Sequence, residues 1–229
     1  MFPIRDDNPT RRFSLVTILL ILANALVFLW ELSLGGGEAL DSFYFHFGFV
    51  PGVLTGTSAP PSGTLSPYFL TVLTSMFVHG GWAHLLGNML YLWIFGNNVE
   101  DTFGHGKFLV FYLLGGVVAA LVQLLSQPSS NVPTIGASGA IAAIMGAYFY
   151  LYPRAHIQTL VFFIFITTIR VPAWIFLGLW FVMQLFDLTT GNAEGVAVWA
   201  HIGGFLFGLL AAWLFSRRRP REPEYMYYG

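Results

Sequence analysis

Three stretches of the chain carry side chains that could do covalent chemistry together. Gly136-Ala137-Ser138-Gly139-Ala140 sets a serine between glycines at the opening of an apolar run that ends near Tyr152. His201 lies in a separate apolar run further along, and His84 and Asn88 stand at i and i+4, on one face of any helix they share. A serine hydroxyl is a weak nucleophile until a base within hydrogen-bond reach takes its proton, and a neutral imidazole is such a base. The start of a helix at Ser138 offers unpaired backbone N–H groups to a developing oxyanion. His84 and Asn88 could complete that hole with side-chain donors. Gly136 and Gly139 would let the backbone turn tightly and a substrate approach. No carboxylate accompanies His201 within an apolar run, since Asp187 and Glu194 fall near the ends of theirs. The expectation is a Ser-His dyad without a third member.

Each of these residues also has a plainer reading. Ser138 could cap a helix inside a small-residue packing seam, and His84 and Asn88 could hold loops by hydrogen bonds. His201, Gly204 and Gly208 lie on a small-xxx-small face that brings helices close, so these two glycines read mainly as packing. That close approach is also what a pairing of Ser138 with His201 requires. His79 reads as interfacial, and His46, His105 and His156 fall at or beyond the ends of apolar runs and carry no motif.

The elements that must position these groups follow from composition. The chain is 56% hydrophobic and only 9% charged, against roughly 25% charged residues in soluble domains, so it cannot cover a water-facing surface. It reads as an all-α polytopic membrane protein. There is no cysteine, hence no disulfide and no thiol nucleophile. Apolar runs place spans at about 14–32, 82–97, 107–125, 139–152, 172–188 and 196–215. The stretch 157–169 is apolar but short; at ~1.5 Å per residue it reaches ~20 Å, less than a ~30 Å hydrocarbon core, and reads as an interfacial segment. Residues 33–80 form a long connection without Lys or Arg, which points to a loop lying in the membrane interface. The domain reading is an N-terminal segment 1–13, a six-span body 14–215 and a basic tail 216–229.

Charge placement tests the span count. With six spans, Arg5, Arg11, Arg12, Lys107, Arg154, Arg170 and the tail arginines 217, 218, 219 and 221 all fall on one side. The positive-inside rule makes that side cytoplasmic, with both termini on it. A seventh span over 157–169 would send Arg170 and the tail across. Depth then brings the polar groups together. His201 lies about five residues and Asn88 about six below the outer start of their spans, or ~8 and ~9 Å. The fourth span covers only ~21 Å, so its outer end is sunk by ~10 Å below the non-cytoplasmic face of a ~30 Å core.

These residues resemble the rhomboid family of intramembrane serine proteases. The match rests on His84-Leu85-Leu86-Gly87-Asn88, the Ser138 motif, and Ala200-His201-Ile202-Gly203-Gly204 with Gly208, in the family's order and on its second, fourth and sixth helices. The resemblance implies Ser138 as nucleophile, His201 as general base and acid, and His84, Asn88 and the Ser138 backbone N–H as oxyanion donors. It implies a six-helix bundle with a half-embedded first loop, and hydrolysis of a peptide bond in or beside a transmembrane segment, typically next to small residues. Partners would be transmembrane segments of membrane-protein substrates and the bilayer, with no nucleic acid, cofactor or metal. Substrate would enter beside the fifth span, and water through the connections at 126–137 and 189–196. The compact six-span form points to a prokaryotic cytoplasmic membrane. Two departures stand out: a Trp-Arg pair of the first loop is absent, and Ala142 replaces a tyrosine that packs on the histidine in some members.

The rival readings are a catalytically inactive rhomboid-like binding or escort protein, and a small transporter using the same polar residues. The first should lack the serine or the histidine. The second predicts polar residues on the inner halves of the spans, which are apolar here.

Overall fold

The computed structural model describes residues 2–60, 67–162, 166–190 and 195–216. Long apolar helices dominate: α1 (Leu15–Ser33), α5 (Trp82–Phe103), α6 (His105–Ser126), α7 (Ser138–Leu151), α8 (Ala173–Thr190) and α9 (Val198–Ser216). Shorter pieces lie between α1 and α5: α2 (Gly37–Phe47), α3 (Pro51–Leu54) and α4 (Thr71–Thr74), the last flanked by 3-10 turns. Among the described residues α1, α6, α8 and α9 are each long and apolar enough to cross a membrane. The segment Tyr68–Phe77 and α5 pass that test together across an 81° bend, whereas α7 has only 14 residues.

Helix ends follow local chemistry. Gly104, at φ +78°, turns the chain between α5 and α6, a conformation that suits a residue without a Cβ. The first turn of α1 has no capping side chain of its own; buried Glu100 in the last turn of α5 supplies one. Its carboxylate accepts from the Val16 and Thr17 amides, both at 2.8 Å, and from the Thr17 hydroxyl at 2.6 Å. An anionic acceptor suits the positive end of a helix. The far end of α1 is held by buried Glu31, which accepts from the His79 amide at 3.0 Å. His79 is wholly buried, and that bond ties its segment to α1.

The core centres on α7, whose residues from Gly139 to Tyr148 are all buried. Gly and Ala fill most of that stretch, so neighbouring backbones come unusually close. A Cβ on Gly204 would collide with the Gly139 carbonyl, one on Gly208 with the Ala143 carbonyl, and one on Gly146 with the Phe205 carbonyl. Gly204 and Gly208 therefore seat α9 directly on the α7 backbone. Substituting Gly208→Val should force the two helices apart and lower the unfolding temperature by about 10 °C or more. Gly106→Ala, where a Cβ meets nothing within 4 Å, should leave it unchanged or raised in the same thermal melt.

One end of the bundle carries a small antiparallel sheet that the composition-based expectation of an all-α chain omits. Strands β1 (Phe2–Asp6), β2 (His156–Phe162) and β3 (Ile166–Pro172) are ordered β1-β2-β3, with Ile157 opposite Val171 and Leu160 opposite Phe2. The short segment expected over 157–169 not to span the membrane forms the paired strands β2 and β3. The physical reason is alternation: Ile157 and Thr159 are buried while His156 and Gln158 face outward, a period of two rich in β-branched residues.

Asp6 ties β1 to the helices, accepting from the Tyr148 hydroxyl at 2.6 Å and from the Asn98 amide at 2.7 Å. Burial pushes its carboxyl up to about 6, partly offset by the Tyr148 hydrogen bond. The folded state therefore holds this proton more tightly than the unfolded chain does, and stability falls as pH rises from the ordinary carboxylate range through about 6. Asp6→Asn, which stays neutral, should flatten that part of the curve of unfolding temperature against pH; an unchanged slope between pH 4 and 6 would contradict this.

Candidate active site

The chain reaches Ser138 through a connection fixed on both sides. Phe49 and Thr134 exchange backbone hydrogen bonds at 3.0 and 2.7 Å, the Gly52 amide donates to the Ser130 carbonyl at 2.9 Å, and the Gly136 amide donates to the Ser75 carbonyl at 2.8 Å. Gly136 sits at φ +114°, which delivers the chain sharply into α7.

Ser138 is the first residue of α7, one place inside the cap position held by Ala137. Among the described residues its hydroxyl makes no capping hydrogen bond. It lies 2.8 Å from His201 Nε2, on α9. The helix-cap alternative for Ser138 therefore has no hydrogen bond behind it, and the two residues singled out from different apolar runs are in contact. Gly139 and Gly204 make this possible. A Cβ on Gly139 would stand 2.6 Å from the Ala119 side chain, and one on Gly204 would strike the Gly139 carbonyl. Packing and proximity are the same feature here.

The other ring nitrogen of His201, Nδ1, lies 2.7 Å from Gln184 Oε1 on α8. For the Ser138 hydroxyl to donate to Nε2, that nitrogen must be bare and the ring proton must sit on Nδ1. The Gln184 carbonyl oxygen is the acceptor that this tautomer needs. Trp180, one turn earlier on α8, lies over the imidazole with ring centroids 5.8 Å apart and planes 40° from parallel. Ala142, on α7, is wholly buried.

Sequence reasoning missed Gln184. A signal was present: a polar amide in the middle of an apolar run, four residues after Trp180 and so on its helix face. Considering carboxylates alone as partners for His201 passed over it.

His84 and Asn88 project from α5 toward the Gly136 turn. A Cβ on Gly136 would lie 2.6 Å from His84 Nε2 and 3.5 Å from Asn88 Nδ2. The Gly80 amide donates to His84 Nδ1 at 3.3 Å, which leaves the ring proton on Nε2, facing the turn. The Asn88 amide nitrogen is buried and has no hydrogen-bond partner among the described residues. An unpaired buried donor costs ~1–3 kcal/mol. A ligand oxygen placed beside Gly136 would relieve that cost and accept a hydrogen bond from His84 Nε2–H as well.

These groups line one cavity of ≈ 870 Å³ that takes in Ser138, His201, His84, Asn88 and Trp180. Its walls include Gln127 and residues of the connection before Ser138, together with Gly195 and Val196 before α9. Both connections expected to admit water thus border the cavity, although residues 191–194 lie outside the described residues. No group of three or more His, Cys, Asp or Glu that could hold a metal occurs among the described residues.

Comparison with known proteins is consistent in kind. Residues 66–218 match the family model described as Rhomboid domain. Rhomboid protease GlpG of Haemophilus influenzae is 30% identical over 156 residues, covering 66% of this chain and 72% of that protein. Rhomboid protease GluP of Bacillus subtilis is 35% identical over 144 residues, 62% of this chain and 25% of that protein. Rhomboid protein 1, mitochondrial, of Saccharomyces cerevisiae is 30% identical over 166 residues, 68% of this chain and 44% of that protein. The match thus spans a quarter of the Bacillus protein and under half of the yeast one.

Proposed function

The chain belongs to the rhomboid family of integral membrane proteins, and we propose on that footing that it is an intramembrane serine endopeptidase. The observation that carries this reading is the 2.8 Å contact between the Ser138 hydroxyl and His201 Nε2, beside two donors that face the same turn. His201 takes the hydroxyl proton as Ser138 Oγ attacks the carbonyl carbon of the scissile bond. The resulting oxyanion is received by the Ser138 backbone N–H, His84 Nε2–H and the Asn88 amide. His201 then gives its proton to the leaving nitrogen, the C–N bond breaks, and an ester to Ser138 remains. Water, deprotonated by the same imidazole, hydrolyses that ester and restores the serine.

The substrate class follows from where the site lies. The serine opens a short helix that is buried from Gly139 to Tyr148 between longer ones, so in this reading the scissile bond comes from a segment that is itself in or next to the membrane. Peptide bonds inside a helix are shielded, and glycine and other weak helix formers near the cleavage point would ease local unwinding. In this reading α1, α5, α6, α7, α8 and α9 all span the membrane as one body over 14–215. Both termini face the cytoplasm, residues 33–80 form a half-embedded loop, and the site opens to the opposite side. With only 14 residues, α7 fits a span sunk at its outer end.

Purified chain reconstituted in liposomes with a single-span reporter provides the test. Two new fragments should form, with the scissile bond mapped by mass spectrometry to within or just outside the reporter's apolar segment. Cleavage confined to sites far from that segment would remove the intramembrane assignment.

A further inference from the structure

We infer that Gln184 is a positioning residue for His201, a neutral third member that fixes which ring nitrogen faces Ser138. The inference rests on the reading of Ser138 and His201 as the reacting pair. His201 has two nitrogens and one proton in its neutral form, and only the tautomer with the proton on Nδ1 can accept from the serine. Gln184 Oε1 stands 2.7 Å from Nδ1, and Ser138 Oγ stands 2.8 Å from Nε2, so one ring is held at both ends. Gln184 is itself buried and comes from α8, whereas Ser138 and His201 come from α7 and α9. An amide suits this place better than a carboxylate does. It accepts the Nδ1 proton and, after proton transfer, faces the imidazolium with the negative end of its dipole. It does so without burying a charge that would need its own solvation.

Trp180 makes the arrangement a two-point hold. Trp180 and Gln184 lie at i and i+4 on α8, so one face of one helix supplies both the surface under the imidazole and the acceptor at its edge. The seating of α8 against α9 is therefore coupled to the tautomer and tilt of His201. Any displacement of α8 that admits a substrate must keep or restore the Gln184 contact before Ser138 is activated.

Two variants of the full chain test the assignment, assayed in liposomes beside the parent and Ser138→Ala. Gln184→Met keeps length, volume and helix propensity but removes the acceptor oxygen. Gln184→Glu keeps an acceptor oxygen at the same reach in either protonation state. For Gln184→Met, kcat should fall about 30- to 300-fold with KM within about threefold of the parent. The rate at which a fluorophosphonate modifies Ser138 should fall in parallel. Gln184→Glu should regain at least about tenfold of the lost rate. A merely structural role for Gln184 would move the unfolding temperature and KM instead. Gln184→Met within threefold of the parent in kcat, or both variants equally impaired, overturns the assignment of Gln184 alone. Cleavage retained in Ser138→Ala removes the reacting pair and this inference with it.

Discussion

Ser138→Ala is expected to bring reporter cleavage in liposomes down about 100,000-fold or more, to the floor of the assay. The size of the effect follows from what remains. Without the hydroxyl no ester to the chain can form, and only oriented water and the donors near Gly136 are left to act on the peptide bond. The fold should be nearly indifferent. The lost oxygen makes one hydrogen bond, to His201, worth ~1 kcal/mol net. An unfolding temperature within a few degrees of the parent, measured on the same preparation, separates loss of the nucleophile from loss of structure.

The second large effect is expected for His201→Ala, a fall in kcat of about 10,000-fold or more with Ser138 still in place. Here the serine keeps its position at the start of α7 but has no base. Gln184 Oε1 loses its partner and Trp180 loses the ring it lies on, so the unfolding temperature should drop by several degrees as well. The informative comparison is with Ser138→Ala: once the serine is gone, removing His201 as well should cost nothing further, so the double variant should match Ser138→Ala.

Much of this arrangement was legible in the chain because the membrane imposes strong length and polarity rules. Apolar runs located α1, α5, α6, α7, α8 and α9 to within a few residues at most ends. The depth estimate for His201 and the short fourth run anticipated that Ser138 and His201 could meet. What escaped was set by pairings distant in sequence. Glu100 caps α1 from 84 positions away, and Glu31 reaches the His79 amide across 48, so neither residue carries a local pattern that reveals its partner. The β2–β3 hairpin was hidden differently. Its residues are apolar enough for a lipid-facing segment, and only their alternation marks them as strands. Gln184 is hidden because a single neutral amide in an apolar run carries no charge signal, and its partner lies 17 positions away on another helix. The contact of Trp180 with His201 depends on how α8 leans on α9, which no local pattern reveals.

Ser138 as a hydroxyl made nucleophilic by His201 makes one prediction that chemistry alone can check. Its most direct test is to treat the reconstituted parent with a fluorophosphonate, digest it, and map the modified residue by mass spectrometry. A single adduct on Ser138, lost in His201→Ala although the serine is still present, is the result this account predicts. An adduct on another residue, or no adduct in protein that still cleaves the reporter, would contradict it.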